Sequence, residues 1–300
     1  MISRNRIVIS LLALCVCQLN IENQKVFAQD ILKIGAIPDQ HPEKLNRLYN
    51  LLSNELSKEL KVKVRYIPVT SYPAAVTAFR TGSLDLVWFG GLTGVQARIQ
   101  RPNSMIIAQR DIDRNFKSVF IANKNSKLPI INNVKDLVRL KDRRFTFGSE
   151  SSTSGRLMPQ YFIKKSGLKL SDFKGGRPGF SGSHDATIAL VESGAYEAGA
   201  LNKQVWTNNI KTGKTDTTKV YVIWTSPPYV DYHWLAQGNL DKRFGYGFTN
   251  KLKSVFLKFN NSNKDHKKIL QIFGAKRFVP ANPKSYKSIE DIGREIGKIK

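Results

Sequence analysis

Short apolar runs alternate with stretches of helical periodicity over residues 31–99, and that alternation narrows the folds open to this chain. Residues 31–37 form an apolar run broken only by Lys33 and Gly35, the pattern of a strand buried on both faces. Pro42 suits the first turn of a helix, and Leu45, Leu48, Tyr49, Leu52, Leu56 and Leu60 follow at helical spacing. Residues 62–67 alternate as a strand does. Ser71 stands at an N-cap position ahead of Tyr72, Pro73, Val76 and Phe79, and Gly82 closes that helix. Residues 84–89 predict a third strand, ended by Gly90 and Gly91, and residues 92–99 predict a helix. Strand and helix in such strict turn imply an α/β fold whose parallel sheet carries helices on both faces.

Beyond residue 100 the pattern loosens. Residues 104–108 and 117–123 predict adjacent strands joined by a polar link. A helix at 134–140, a strand at 144–147 and a helix at 156–166 restore the alternation. A glycine-rich stretch, 173–180, precedes a helix at 185–193 and strands at 195–201 and 219–224. Residues 230–236 lead to helices at 251–257, 267–273 and 286–296. The chain therefore reads as two α/β lobes. Residues 29–115 and 225–300 build the first, and residues 116–224 form the second as an insertion. Extended crossovers near 119–122 and 221–224 are expected to act as the hinge.

The first 28 residues have the form of a cleavable export signal. Arg4 and Arg6 make a basic start, residues 7–16 an apolar run too short to span a bilayer, and Val26-Phe27-Ala28 a small-residue cleavage site. The expected destination is the periplasm. Both cysteines, Cys15 and Cys17, lie in this segment, so a disulfide scaffold or a cysteine-held metal in the mature protein is excluded. Leu14 and Val16 precede them where a lipid-modified cysteine would want a small residue, which favours a freely diffusing protein over a lipoprotein. The formal charge of +25 attracts anions in general. Nucleic acid is not the expected partner: the basic residues are scattered, and no helix-turn-helix, zinc spacing or RNA-recognition signature is present.

Ligands in open α/β sheets sit beyond the carboxyl ends of the strands. Thr70-Ser71-Tyr72, Phe89-Gly90-Gly91, Ser152-Thr153-Ser154, Ser181-Gly182-Ser183-His184 and Tyr229-Val230-Asp231-Tyr232 all follow expected strands. Helix N-termini bind anions through free N–H groups and the helix dipole, and hydroxyls add donors without bulk. The set suits a small tetrahedral oxyanion, with Tyr72, Phe89, Gly90, Ser152, Thr153, Ser154, His184, Asp231 and Tyr232 as its residues. Tyr229, Trp206 and Gln204 are further candidates. Asp231 is out of place beside an anion unless that anion still carries a proton. Phospho groups have a second pKa of about 6 and keep protons near neutrality, whereas sulfate does not. No cofactor or metal is expected. An exported hydrolase built on a serine, His184 and Asp231 lacks the G-x-S-x-G elbow. A metal carrier using Tyr229, Tyr232 and His233 would set a cation in a dipole-positive cleft.

Residues 32–40, Leu-Lys-Ile-Gly-Ala-Ile-Pro-Asp-Gln, resemble the mature start of the phosphate/phosphite/phosphonate substrate-binding proteins of ABC importers. Ser152-Thr153-Ser154-Gly155, Gly182-Ser183-His184 and Tyr229-Val230-Asp231 are similar too, and the resemblance covers nearly the whole mature chain. It implies a type II periplasmic binding protein with two crossover strands, ligand enclosed by closure, no catalysis, a monomer, and a permease of the inner membrane as partner. It also implies that Tyr72, Ser152, Thr153, Ser154, His184 and Asp231 hold the phosphorus oxyanion. Members that take aminoalkylphosphonates place a carboxylate after the strand that here ends at Leu201, where this chain has Asn202, Lys203, Gln204 and Trp206. Gly90-Gly91 also replaces a frequent Pro or Ser. Both departures favour a smaller ligand, phosphite ahead of methylphosphonate.

Overall fold

In a computed structural model, which describes residues 30–300, the chain forms two mixed sheets flanked by helices. In chain order the first part holds β1 (Leu32–Ala36), α1 (Pro42–Leu60), β2 (Val64–Tyr66), α2 (Tyr72–Arg80), β3 (Leu86–Phe89), α3 (Gly91–Gln100) and β4 (Met105–Arg110). The middle holds β5 (Ser118–Asn123), β6 (Phe145–Phe147), α4 (Met158–Lys165), β7 (Gly179–Phe180), α5 (His184–Glu192), β8 (Ala198–Asn202), α6 (Lys203–Lys211) and β9 (Val220–Thr225). The last part holds β10 (His233–Ala236), α7 (Leu240–Phe244), α8 (Phe248–Leu257), α9 (Lys264–Phe273), β11 (Phe278–Val279) and α10 (Lys287–Glu295). The export segment lies outside the described residues.

The first sheet runs β11-β4-β10-β3-β1-β2 and the second β7-β6-β8-β5-β9; we call the halves built on them lobe 1 and lobe 2. Each sheet is parallel only in part. β1, β2 and β3 pair in parallel as their alternation with helices implies, but β10 enters antiparallel between β3 and β4. In lobe 2, β6 pairs in parallel with β7 and β8, and β5 is antiparallel to β8 and β9. The expectation of an all-parallel sheet fails where the chain passes between lobes, because a strand arriving from the other lobe needs no helical crossover.

The passage itself is displaced from its expected place. Residues 119–122 and 221–224 lie inside β5 and β9, paired with each other in lobe 2. The chain crosses at residues 111–117 and 226–232. There Phe116 and Tyr229 pair through two backbone bonds, Phe116 N to Tyr229 O at 2.8 Å and Tyr229 N to Phe116 O at 2.9 Å.

Local chemistry explains the elements that carry the site. Helix α1 opens on Pro42, has Glu43 in its first turn, and buries all six residues of its apolar stripe. Each such side chain contributes about 2 kcal/mol of transfer free energy. Ser71 caps α2, its side chain accepting from Ala74 N. Gly90 begins α3 with extended backbone, directly beyond β3. After β6 the chain does not enter an ordinary helix. Ser152 caps a wide π-type turn, Thr153–Leu157, whose Leu157 N donates to Ser152 O at 2.9 Å across five residues. Such turns are rare and occur often at functional sites.

Candidate functional site

The carboxyl ends of β1, β3, β6 and β8 converge where the lobes meet. Lobe 1 brings residues 37–39 and the start of α3; lobe 2 brings the Ser152 turn, the start of α5 and Asn202. Two hydrogen bonds close the junction at this point. Leu92 N donates to Thr153 Oγ1 at 2.9 Å, and His184 N donates to Asp39 O at 3.0 Å. His41 N to Asp185 Oδ2 at 2.8 Å adds a third nearer the rim.

Asp231, at the end of the return crossover, is fully buried. Its Oδ1 accepts from Gly91 N at 2.8 Å, at the start of α3. Its Oδ2 has no partner among the described residues, nor do the hydroxyls of Tyr72 and Ser154. Three buried polar atoms left unpaired in one place mark a cradle for a polar guest, because such atoms almost always find partners. Gly90 shapes its floor. A Cβ there would stand 3.1 Å from Thr153 Oγ1, 3.3 Å from Asp231 Oδ1 and 3.6 Å from Ile37 Cδ1. Gly155 plays the same part in lobe 2, where a Cβ would stand 3.1 Å from both His184 Cε1 and Ser152 Oγ.

Burial sets the protonation of the cradle. It pushes the Asp231 carboxyl from 3.8 up to about 7, with the nearby Asp113 adding to the rise and the Gly91 N–H opposing it. It lowers the His184 imidazole to about 4, so that ring is neutral near pH 7. It holds the Tyr72, Tyr229 and Tyr232 phenols well above their ordinary range, so all three keep their protons. The groups around the cradle are thus uncharged donors and two buried acids raised toward neutrality, Asp231 and, against the Tyr232 hydroxyl, Asp39.

The donors are themselves held in place. Asn202 N donates to His184 Nδ1 at 3.4 Å, which leaves the ring proton on Nε2 to face the Tyr232 hydroxyl at 3.3 Å. Asn202 Nδ2 also donates to that hydroxyl, at 3.1 Å. The Tyr232 ring stacks on Trp88, centroids 5.5 Å apart, with the Arg110 guanidinium 4.8 Å above it. Arg110 is neutralised by Asp113, Nη2 to Oδ1 2.6 Å, both buried. Tyr229 Oη lies 2.7 Å from Ser118 Oγ, and Ser118 Oγ donates to Ser154 O at 2.7 Å, so Tyr229 braces the turn.

The structure brings together Tyr72, Gly90, Ser152, Thr153, Ser154, His184, Tyr229, Asp231 and Tyr232. Phe89 is elsewhere by its ring, which packs edge-on against Phe79 at 5.7 Å in the lobe 1 core. Trp206 belongs to the lobe 2 core with Val119, Leu201 and Val205. Gln204 rests on Gly274 of lobe 1, behind the crossovers.

Sequence reasoning missed Asp39, Asn202 and the Arg110–Asp113 pair. Asp39 is buried and its carboxyl rises to about 6, with the Tyr232 hydroxyl and Arg110 drawing it back. Its position after β1 is the same signal that pointed to Tyr72 and Gly90. Among the described residues, no group of three His, Cys, Asp or Glu is placed to hold a metal ion.

Comparison with known proteins gives the family. The profile of a family described as ABC transporter, phosphonate, periplasmic substrate-binding protein matches residues 34–286. A Prochlorococcus marinus (strain MIT 9301) protein, named "Probable ABC transporter phosphite binding protein PhnD1", is 61% identical over 270 residues, 90% of this chain and 91% of that one. The structure of PhnD1 from that organism in complex with methylphosphonate superposes with a TM-score of 0.88, covering 90% of this chain and 99% of the other at 61% identity. The phosphonates-binding periplasmic protein of Escherichia coli K12 is 30% identical over 239 residues, 75% of this chain and 68% of that one.

Proposed function

This chain belongs to the periplasmic substrate-binding proteins of phosphonate ABC transporters, and on that premise we propose that it captures phosphite ahead of methylphosphonate in the cradle around Asp231. It serves an ABC importer as a periplasmic binding protein, not as an enzyme, and hands its ligand to a membrane permease. Residues 1–28 would direct export and be removed, and residues 116–224 would move as the inserted lobe.

The observation that carries the ligand proposal is the pairing of buried neutral donors with a buried acid, Asp231, whose Oδ2 has no partner among the described residues. Tyr72 Oη and Ser154 Oγ have no hydrogen-bond partner among the described residues, and Ser152, Thr153 and Gly155 present the start of a helical turn. Together they donate to an oxyanion without fixing its charge. Asp231 Oδ2 accepts only from a ligand oxygen that bears a proton. A protonated phosphite or phosphonate supplies one. Sulfate does not, and meets a carboxylate instead. Gly90 keeps the floor clear, since a side chain there would crowd Thr153 Oγ1 and Asp231 Oδ1, and Ile37 is the apolar neighbour on that side.

Binding proceeds by closure. The bonds of Thr153 to Leu92 N and of His184 N to Asp39 O exist only with the lobes together, so ligand contacts from both sides shift the population toward that state. The expulsion of water then strengthens each charge-assisted bond. Calorimetry against phosphite, methylphosphonate, phosphate and sulfate tests the reading: the phosphorus ligands bind and sulfate does not. Failure of every phosphorus ligand would end it.

A further inference from the structure

The glycine-rich stretch at 173–180 takes no part in the cradle, yet it walls a separate cavity of about 970 Å³ in lobe 2. The π-type turn serves both places. Ser152, Thr153 and Ser154 face the junction of the lobes, while Arg156 lines the cavity. Arg156 is 4% exposed, its guanidinium resting 4.3 Å from the Phe147 ring centroid and 5.1 Å from that of Phe180. Its Nε and Nη1 are buried with no hydrogen-bond partner among the described residues. Two guanidinium donors buried without an acceptor are costly, because nothing replaces the hydration they have lost.

The rest of the wall is also cationic. Lys174 and Arg177 are exposed, and neither has an acidic partner within 4.0 Å among the described residues. Arg144 shares Glu197 with Arg143. The one acid in the lining, Glu150, faces Lys298 of lobe 1 at 3.7 Å. Three aromatic residues also line it: Phe145, which is buried, Phe180, 41% exposed, and Tyr196, whose hydroxyl lies over Gly179.

We propose that this cavity is an accessory site for a phosphate monoester that carries an apolar or aromatic group. Arg156, Lys174 and Arg177 take the phosphate, the two guanidinium forks matching its oxygens. The organic group lies against Phe180 and Tyr196. The volume is that of a site for a whole organic ligand rather than for a bare oxyanion. The same chemistry is offered by a soluble organophosphate and by the phosphate of a lipid headgroup, and the experiment separates them.

Full-length mature protein is held in excess methylphosphonate, which occupies the cradle, and titrated with phenyl phosphate. In parallel it is sedimented with vesicles of phosphatidic acid in phosphatidylcholine, and of phosphatidylcholine alone. Saturable binding is expected in at least one of the first two arms: phenyl phosphate marks a soluble ligand, phosphatidic acid alone a lipid. Lys174→Gln with Arg177→Gln, both on the surface, weakens that binding at least about tenfold and leaves methylphosphonate affinity unchanged. Binding in neither arm overturns the proposal, and so does binding that the double variant leaves intact. If methylphosphonate itself fails to bind, the Lys174→Gln, Arg177→Gln comparison still assigns the titration to this cavity, because neither residue belongs to the cradle. The accessory site then stands or falls apart from the cradle.

Discussion

Replacing Asp231 with asparagine changes the cradle by one charge and almost no volume. The fully buried carboxyl is raised from 3.8 to about 7. At about 1.36 kcal/mol per pKa unit, this difference of about 3 units makes the ionised acid about 4 kcal/mol less comfortable in the closed site than in water. Below the ordinary carboxylate range the acid is protonated in either setting and the penalty vanishes. It grows as pH rises and is complete above about 7. A ligand that arrives with a proton on the oxygen facing Oδ2 relieves that penalty, and sulfate does not. In the variant the amide oxygen still accepts from Gly91 N, and the amide NH₂ replaces Oδ2 as a donor to the guest. Selection of phosphite over sulfate should therefore fall by about 10²–10³ in the ratio of dissociation constants, since each 1.4 kcal/mol is tenfold and about 4 kcal/mol is the ceiling. Calorimetry at pH 7.5 with both anions on both proteins measures the ratio, and melting curves check that the variant folds. An unchanged ratio in a folded variant would refute the reasoning, because it would mean that Asp231 does not read the proton on the ligand.

Other outcomes follow from the same geometry. Ser152→Ala together with Thr153→Ala should cut phosphite affinity by at least about 10², from the loss of two hydrogen bonds to a charged group at about 1.5–3 kcal/mol each. Part of the accompanying loss of stability, about 1 kcal/mol, is the missing cap on Gly155 N; wild-type affinity in this protein would refute the site. Gly94→Ala should lower stability by about 1–3 kcal/mol, read as a fall of several degrees in melting temperature. The new Cβ would stand 2.2 Å from Cε1 of the fully buried His233.

Local features of the fold were legible where local chemistry decides. The stripe of α1, the Ser71 cap and the strands that end at Phe89 and Phe147 follow from spacing and residue type alone, and the same spacing pointed to most of the residues that the structure gathers around Asp231. What escaped depends on distant partners. Arg110 and Asp113 fall in the polar link between two expected strands, yet each is buried because the other neutralises it. Helix α6 escaped because residues 203–211 are mostly polar and Val205 and Trp206 alone are buried; its start is set by Asn202, whose side chain accepts from Gln204 N and Val205 N. That capping role fixes Asn202 where its amide also meets Tyr232. The crossovers were placed too far into lobe 2 because residues 119–122 and 220–224 are continuous apolar runs and give no sign of where the strands leave their own sheet. Phe89 was expected at the wall because it ends β3. Alternation along that strand turns its ring to the core and gives Trp88 to Tyr232.

Proton exchange on binding tests the central claim most directly. Calorimetry of phosphite in buffers of different ionisation enthalpy counts the protons taken up per ligand bound. At pH 8 the free ligand has lost its second proton and the solvated Asp231 is ionised, so a complex that needs a proton between them must take up about one. Asp231→Asn should take up almost none. No uptake by the unaltered protein at pH 8, or equal uptake by both proteins, would contradict the account.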